Sequence, residues 1–312
     1  MKEVIDFLAA KASRPLAFLR HASSDPLPPP HHPILILDSS FNPPTRAHMR
    51  LILLALARHS YSSVLLLHAT TNADKGSPDI PDIHRRVQFM RALASDLSAH
   101  LASTSQMQPN QPPSSVTGSI TSTATASTTA TTPLHPHAPP SISLALTVAP
   151  RFIEKSTLLR SLRPNYAQHW ILGLDTLVRL VDAKYYTVPP REALSSLFSY
   201  PGDTVLCFAR EVGGGATSAS PLPELAQELE TEGRVVWMGG WNERDPLFSV
   251  SSTKVRALVD TWKTLDATTS QNHGTMNPNS ENDERVEEKK RAVLQQLEAI
   301  VSPNVLQTLL SE

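Results

Sequence analysis

Apolar residues along the chain fall into six short runs, each about as long as a β-strand. Within each run the apolar positions are continuous rather than alternating, which is typical of strands covered on both faces, as in a parallel sheet. The runs occupy residues 34–38, 64–69, 144–149, 169–174, 203–209 and 234–239. We therefore predict six strands of one buried sheet.

Amphipathic segments with the spacing of an α-helix lie between these runs. They occupy residues 46–58, 82–98, 222–231 and 252–262. The alternation predicts an α/β fold, a Rossmann-like doubly wound parallel sheet with helices on both faces. Ligands of such sheets bind beyond the carboxyl ends of the strands, near the point where the strand order reverses. The loop after Asp38, which ends the first run, is accordingly the first candidate for a site.

Two polar segments lack the apolar residues that a packed core needs. Residues 102–141 consist largely of Ser, Thr, Ala, Pro and Gln and contain no Asp, Glu, Lys or Arg, and residues 266–283 are polar and rich in turn formers. Such segments bury too little apolar surface to offset the entropy of ordering them. We predict two disordered insertions in a single domain that spans residues 33–312. An N-terminal helix and a Pro-rich lead-in, residues 1–32, precede that domain.

The charge and cysteine content exclude several classes of protein. The 312 residues include 28 basic and 29 acidic side chains, so there is no broad basic surface for nucleic acid or for an acidic membrane. An anionic ligand would have to be held by a local site. Cys207 is the single cysteine, which excludes an internal disulfide and a zinc site built from cysteines.

The sequence shows neither a membrane-spanning run nor a secretory signal. No apolar run reaches the roughly 18 residues of a transmembrane helix. The N-terminus mixes acidic and basic residues and lacks the continuous apolar segment of a secretory signal. We expect a cytoplasmic or nuclear location, or both. Homo-oligomers, and protein partners recruited through the insertions, are compatible with the sequence.

The loop after the first strand has the sequence SSFNPPTRAH, from Ser39 to His48. Thr45 is placed to cap the helix that follows, and His48 lies one turn further on the same face. A helix N-terminus presents unpaired N–H groups that suit a phosphate, and both side chains can donate hydrogen bonds to phosphate oxygens. Taken alone, this spacing also fits a His that only caps or packs.

A second helix start lies much later in the chain, where residues 250–256 have the sequence VSSTKVR. Its hydroxyl groups could donate to a triphosphate, and Arg256, one turn into the helix, adds a planar and permanent cation that matches phosphate oxygens. Taken alone, the segment is also an ordinary helix cap.

Together these segments resemble a known superfamily. S-F-N-P-x-T-x-x-H resembles the nucleotidyltransferase signature G-x-F-x-P-x-T/H-x-x-H, in the form found in the nicotinamide or nicotinate mononucleotide adenylyltransferase family. VSSTKVR resembles the I-S-S-T-x-x-R motif of that family, and GLDTL, from Gly173, resembles its G-x-D-x-L segment. The likeness covers roughly residues 33–262 and 299–310, and is greatest to fungal members with divergent sequences and long insertions. Ser39 stands where the family has its opening Gly.

The resemblance implies a set of site residues. Catalysis would fall to His48, Thr45 and Arg256. Residues that would bind ATP are Ser39, Ser40, Phe41, His48, Gly173, Asp175, Ser251, Ser252, Thr253 and Arg256. Ser39 could offer its N–H and its hydroxyl. Residues that would bind the second substrate are Lys75, Arg85, Arg86, Phe152 and Arg210. For the first three, solvated surface charge is the competing interpretation, and for Phe152 it is a place in the core.

The implied activity is transfer of AMP from ATP to nicotinamide or nicotinate mononucleotide, which gives the dinucleotide and pyrophosphate. Mg²⁺ would arrive with ATP, because the sequence shows no dedicated carboxylate cage and no metal site of its own. Two alternatives remain open. One is a related transferase with another phosphorylated acceptor. The other is a nucleotide-binding regulatory protein with weak ATPase activity, whose insertions recruit partners.

Overall fold

A computed structural model describes most of the chain. The described residues are 1–19, 33–71, 79–106, 139–210, 222–241, 245–247, 249–272 and 281–311. Their strands are β1 (Leu16–Leu19), β2 (Ile34–Asp38), β3 (Ser63–Ala69), β4 (Ser141–Thr147), β5 (Gln168–Gly173), β6 (Thr204–Arg210) and β7 (Val235–Trp241). The six predicted strands are thus confirmed to within a few residues at their ends.

Helices connect these strands. They are α1 (Lys2–Ala10), α2 (Arg46–Leu56), α3 (Ile80–Gln106), α4 (Phe152–Leu162), α5 (Leu174–Leu180), α6 (Pro190–Leu194), α7 (Glu224–Thr231), α8 (Ser252–Asn272), α9 (Glu281–Ile300) and α10 (Pro303–Leu310), with a short 3-10 helix at Ala183–Tyr185. The four helices that the spacing predicted are α2, α3, α7 and α8.

The strands form a single seven-stranded sheet in the order β1-β4-β3-β2-β5-β6-β7. Strands β2 to β7 are parallel to their neighbours, and β1 pairs antiparallel with β4 at one edge. From β2 the chain winds outward through β3 to β4, and then returns to β5 on the other side of β2. This is the doubly wound order, which confirms the predicted fold class and puts the reversal between β2 and β5.

Both faces of the sheet are buried, as the continuous apolar runs predicted. In β2, Leu35 and Leu37 pack on the face that carries α1, α2, α3, α8, α9 and α10. Ile34 and Ile36 pack on the opposite face, which carries α4, α5, α6 and α7. Successive side chains of a strand point to opposite faces, so a strand between two helical layers must be apolar at every position.

The N-terminal segment, which precedes the predicted boundary at residue 33, packs against the sheet. Strand β1 extends the sheet, with Leu16 opposite Thr147 of β4. Val4 and Phe7 of α1 are buried in the core, and Glu3 forms an ion pair with Arg91 of α3. The prediction missed β1 because four residues carry too little pattern, so that its register is set by the partner strand.

The helices before the two predicted insertions continue past the predicted starts of those insertions. Helix α3 continues to Gln106 and β4 begins at Ser141, while α8 continues to Asn272 and α9 begins at Glu281. Residues 107–138 and 273–280 lie outside the described part of the chain. The end of α8 is polar but packs along α9, where Lys290 forms an ion pair with Asp266. Local composition does not reveal this contact between helices, so the polar sequence alone predicts an insertion here.

None of the described helices combines the length and the apolar character that crossing a membrane requires.

A buried carboxylate joins the C-terminal helix to the rest of the fold, and it provides a stability prediction. Asp96 of α3 is 8% exposed and accepts hydrogen bonds from the backbone N–H and the side-chain amide of Asn304, in the first turn of α10. Asp96→Ala removes the acceptor at the first turn of α10, so we expect a loss of about 1 kcal/mol in the free energy of unfolding, the scale of a lost helix cap. Urea denaturation measures this. Asp260→Ala, on the exposed face of α8, is the control, and an equal loss there would contradict the role given to Asp96.

Candidate active site

The reversal of strand order leaves a crevice at the carboxyl ends of β2 and β5. These strands are parallel neighbours, with Leu37 opposite Ile171, so the loops that follow them emerge side by side. One is the loop from Ser39 to Thr45, and the other begins at Gly173. The two segments that resembled the family in sequence thus flank the same crevice, where a doubly wound sheet binds its ligands.

The loop after β2 is held in a conformation that few residues adopt freely. Phe41 has φ of +46°, a left-handed value that costs a non-glycine residue about 1–2 kcal/mol. Its ring is fully buried in the core, and its centroid lies 6.1 Å from that of the His48 ring. Burial of the ring offsets the backbone strain and fixes the loop. Phe41 therefore stabilises the loop by packing in the core, and its ring has no exposed surface that could contact ATP.

The imidazole of His48 is oriented by the helix cap. The backbone N–H of Thr45 donates to Nδ1 of His48 at 3.1 Å, and the Thr45 hydroxyl lies 3.0 Å from the same atom. A backbone N–H can only donate, so Nδ1 is an acceptor and the proton of the neutral ring sits on Nε2. The ring thus presents an N–H donor on the side away from the cap, towards Ser39.

Thr45 caps α2 as predicted, but it has no free path to a phosphate. The residue is 2% exposed, and both its backbone N–H and its hydroxyl are directed at the His48 ring. We conclude that Thr45 positions His48 instead of contacting a ligand itself. This corrects the expectation that Thr45 donates directly to phosphate oxygens.

The backbone of Ser39 is engaged on both sides. Its N–H donates to the carbonyl of Leu67 at 3.1 Å, which extends the pairing of β2 with β3. Its carbonyl accepts a hydrogen bond from Nδ1 of His68 at 3.1 Å. The N–H is therefore not available to ATP, contrary to the expectation from sequence. The group that remains is the hydroxyl, which lies 3.1 Å from Nε2 of His48.

The second helix start reaches the first loop directly. The Ser252 hydroxyl donates to the carbonyl of Pro43 at 2.8 Å, across 209 positions of sequence. The Arg256 guanidinium donates to the carbonyl of Asn42 and, at 3.0 Å, to the Thr253 hydroxyl. These contacts bring the two predicted phosphate-binding segments together beyond the carboxyl end of β2.

The cap of α8 leaves part of that segment open to solvent. The Ser251 hydroxyl accepts from the backbone N–H of Lys254 at 3.2 Å, as a helix cap does. Thr253 and Arg256 are exposed, whereas Ser251 and Ser252 are half-buried. Arg256 has five N–H donors, and the two contacts above leave others free to reach a phosphate.

The loop after β5 places a carboxylate beside the crevice. Gly173 caps α5, and Asp175 lies exposed in its first turn. A Cβ atom on Gly173 would come within 2.9 Å of the Asp175 carboxylate oxygen. Gly173 has an ordinary φ of −80°, so glycine is needed here for space and not for its backbone freedom.

Three buried polar residues beneath the loop were not predicted as site residues. Lys155 of α4 is 3% exposed and forms an ion pair with Asp38, the last residue of β2. His68 lies at the end of β3, fully enclosed, and within the described residues its Nε2 has no hydrogen-bond partner. The available signal was a polar residue closing an apolar strand, since Asp38 and His68 both end such runs. Lys155 gave no comparable signal.

His68 is a neutral imidazole at physiological pH. Burial, together with the positive charge of Arg86, lowers the pKa of His68 to about 4. Its bond to the Ser39 carbonyl requires a proton on Nδ1, because a carbonyl oxygen only accepts. His68 therefore supports the loop backbone without adding a positive charge to the site.

The predicted substrate residues are only partly brought to the site. Arg86 donates to the carbonyl of Ser40 at 3.3 Å and pairs with Asp82, so it lies against the loop. Arg85 pairs with the same Asp82 and is 43% exposed. Lys75 falls outside the described residues, and of Arg210 the structure describes the backbone in β6, opposite Trp241.

Phe152 begins α4 just beyond the carboxyl end of β4. Its ring lies edge-to-face on Trp170, with centroids 5.4 Å apart, and Lys155 Nζ lies 4.9 Å from its centroid. Phe152 is half-buried in the core on this side of the sheet. These contacts fit the core interpretation, and stacking on a pyridine ring stays a prediction.

Within the described part of the chain, no three His, Cys, Asp or Glu side chains lie close enough together to hold a metal ion.

The fold and the crevice agree with the resemblance found in the sequence. A doubly wound sheet carries two helix starts with hydroxyl, imidazole and guanidinium donors at its switch point, and both match nucleotidyltransferase motifs. These features are the ones expected of the nucleotidyltransferases that the sequence motifs resemble.

The chain is similar in sequence to one curated protein. No family model matches the sequence. A curated protein of Schizosaccharomyces pombe, named "Putative nicotinamide mononucleotide adenylyltransferase", is 28% identical over 240 residues, which cover 73% of this chain and 76% of that protein. This relative confirms the resemblance to the mononucleotide adenylyltransferase family that the motifs indicated.

Solved structures with a related arrangement are more distant. Plasmodium falciparum nicotinic acid mononucleotide adenylyltransferase complexed with NaAD aligns with a TM-score of 0.47 and 12% identity, over 90% of this chain and 96% of that one. The same enzyme complexed with APC gives a TM-score of 0.41 with the same identity and coverage.

The close approach of Gly173 to Asp175 gives a first prediction for the site. Gly173→Ala displaces the Asp175 carboxylate without straining the backbone, so we expect affinity for ATP to fall about tenfold, the scale of one charged hydrogen bond, with the melting temperature unchanged. Isothermal titration calorimetry measures the affinity. In an Asp175→Ala background the same substitution should have no further effect, and an undiminished effect would show that Gly173 does not act through the carboxylate.

The buried neutral His68 gives a pH prediction. Its pKa is lower in the folded chain than the roughly 6.5 of an unfolded one, so the unfolded state takes up the proton first as pH falls. Stability is therefore retained above about pH 6.5 and is lost progressively towards pH 4, by about 2 kcal/mol between pH 7 and pH 5. His68→Gln should reduce this difference in the free energy of unfolding, measured by urea denaturation. His100→Gln, on the exposed side of α3, is the control, and an unchanged pH dependence in His68→Gln would contradict the assignment.

Proposed function

We propose that this chain transfers AMP from ATP to nicotinamide or nicotinate mononucleotide and releases pyrophosphate. The observation that carries the proposal is the oriented Nε2–H of His48 at the switch point, beside a second helix start that supplies Thr253 and Arg256. The name of the fission-yeast relative supports the choice of substrates.

The reaction needs little covalent help from the protein. The nucleophile is a phosphate oxygen of the mononucleotide, which is already anionic at neutral pH, so no general base is required. It attacks the α-phosphorus of ATP, a P–O bond to it forms, and the bond to the β-phosphate oxygen breaks as pyrophosphate leaves. The difficulty is to bring two anions together and to stabilise the charge that develops on the phosphates.

The crevice offers donors for that charge. The Nε2–H of His48 points from the first turn of α2, where the N-terminal N–H groups add a partial positive charge. Arg256 and Thr253 lie exposed at the start of α8, which is tied to the same loop through Ser252. His48 would act at the α-phosphate and the leaving oxygen, and Arg256 would hold the outer phosphates.

Mg²⁺ would enter as part of the Mg-ATP substrate. It would neutralise part of the charge on the phosphates. The carboxylate nearest the loop, Asp38, is already paired with Lys155, which suits a site that does not build its own metal cage.

One observation favours the regulatory alternative as a second candidate. Ser39 stands where the family has Gly, and its hydroxyl occupies the donor atom of His48 in this structure. A chain with this arrangement could bind nucleotide and turn it over slowly. Measured turnover separates the two candidates, because the regulatory protein would bind ATP without making the dinucleotide.

The central prediction concerns His48. Purified protein with Mg-ATP and nicotinamide or nicotinate mononucleotide should form the corresponding dinucleotide and pyrophosphate, followed by chromatography and a pyrophosphate assay. His48→Ala removes a donor that acts on developing charge, so we expect kcat to fall at least about 100-fold. Circular dichroism should show an intact fold, and the exposed His100→Ala should keep full activity.

Two results would argue against the assignment. Near-normal kcat in His48→Ala would remove His48 from the chemistry. Absence of dinucleotide with both mononucleotides, while ATP still binds, would point to another acceptor or to the regulatory candidate.

A further inference from the structure

The contact between Ser39 and His48 has no counterpart in the family motif, because a Gly at this position carries no hydroxyl. In this chain Oγ of Ser39 lies 3.1 Å from Nε2 of His48. Nδ1 of His48 accepts from the Thr45 backbone N–H, so Nε2 bears the proton and donates it to the Ser39 oxygen. The donor assigned to phosphate is thus already satisfied by the protein itself.

The backbone around Ser39 gives this contact little freedom to relax. The N–H bonds to Leu67 and the carbonyl to His68, so the residue is fixed on both sides of its Cα atom. The hydroxyl can leave His48 only by rotation about χ1 to another staggered position. A phosphate oxygen that approaches Nε2–H must therefore displace the hydroxyl, since one N–H makes one strong hydrogen bond.

We infer that the Ser39 hydroxyl occupies the phosphate position on His48 in the nucleotide-free protein and weakens the binding of ATP by competing for the Nε2–H donor. This inference rests on the proposed function, in which His48 binds the nucleotide phosphates. In this inference the Ser39 hydroxyl opposes the binding of ATP, whereas the resemblance implied that Ser39 binds ATP.

Thr45 and Ser40, which also carry hydroxyl groups in this loop, do not substitute for Ser39. Thr45 is committed to Nδ1, on the other side of the ring. Ser40 is exposed, and its carbonyl is held by Arg86. The Phe41 ring lies tilted against that of His48, which limits how far the imidazole can turn to find another acceptor. The competition is therefore between Ser39 and the incoming phosphate.

The test is the affinity for ATP in a series of variants at position 39. Ser39→Ala removes the hydroxyl and keeps the Cβ atom, and Ser39→Gly also removes the Cβ atom. Both should bind Mg-ATP about three- to tenfold more tightly than the wild type in isothermal titration calorimetry, the scale of one neutral hydrogen bond. Ser39→Thr keeps a hydroxyl and should stay near the wild type. The exposed Ser196→Ala is the matched control and should not change affinity.

Kinetics distinguish competition from catalytic assistance. If the hydroxyl only competes, Ser39→Ala lowers the KM for ATP and leaves kcat nearly unchanged. If the hydroxyl relays a hydrogen bond from His48 to the phosphate, Ser39→Ala lowers kcat, which would overturn the inference. Unchanged or weaker binding of ATP by both Ser39→Ala and Ser39→Gly would overturn it as well.

The Ser39 inference and the proposed function can fail independently of each other. Dinucleotide formed by the wild type, together with no gain of affinity in Ser39→Ala, would reject the competition and leave the adenylyltransferase in place. In a His48→Ala background Ser39→Ala should have no effect on ATP binding, because the donor is gone. A full gain of affinity in that background would show that the hydroxyl acts on something other than His48, and would reject the inference independently of turnover.

Discussion

The reversal of strand order between β2 and β5 is the constraint on which the site depends. Two parallel strands that wind outward in opposite directions leave their carboxyl ends adjacent, with no crossover helix between them. Burial of both sheet faces fixes the register of each strand, so the loops that follow Asp38 and Gly173 cannot slide relative to each other. The crevice is thus a consequence of topology and packing before any catalytic residue is considered.

Within that crevice, buried polar contacts determine where the loop after β2 lies. Lys155 neutralises Asp38 at the end of the strand, and His68 binds the next carbonyl. From the other side, the start of α8 binds the loop at Pro43 and Asn42. The buried ion pair of Lys155 and Asp38 needs both partners, because a buried charge left unpaired is destabilising by several kcal/mol. The same contacts leave the Nε2–H of His48 as an oriented donor and bring Ser39 against it.

The sequence predicted the parts of the fold that local pattern encodes. The six continuous apolar runs became β2 to β7, since a strand between two helical layers needs apolar residues on both faces. The sequence did not predict strand β1, because its four residues form a strand only through pairing with β4. The polar sequence at the end of α8 predicts an insertion, because local composition does not reveal the contact with α9.

For the site, the sequence by itself determined which side chains stand at the two helix starts, among them His48 and Arg256, because caps and motif spacing are local properties. Tertiary structure alone decided how those side chains are used. It turned Thr45 towards the His48 ring, bonded the Ser39 N–H to Leu67, and aimed the Ser39 hydroxyl at Nε2. It also joined Lys155 to Asp38 across 117 positions of sequence. The physical reason is that hydrogen bonds and ion pairs between distant segments depend on where the sheet brings those segments together, and no local pattern records that.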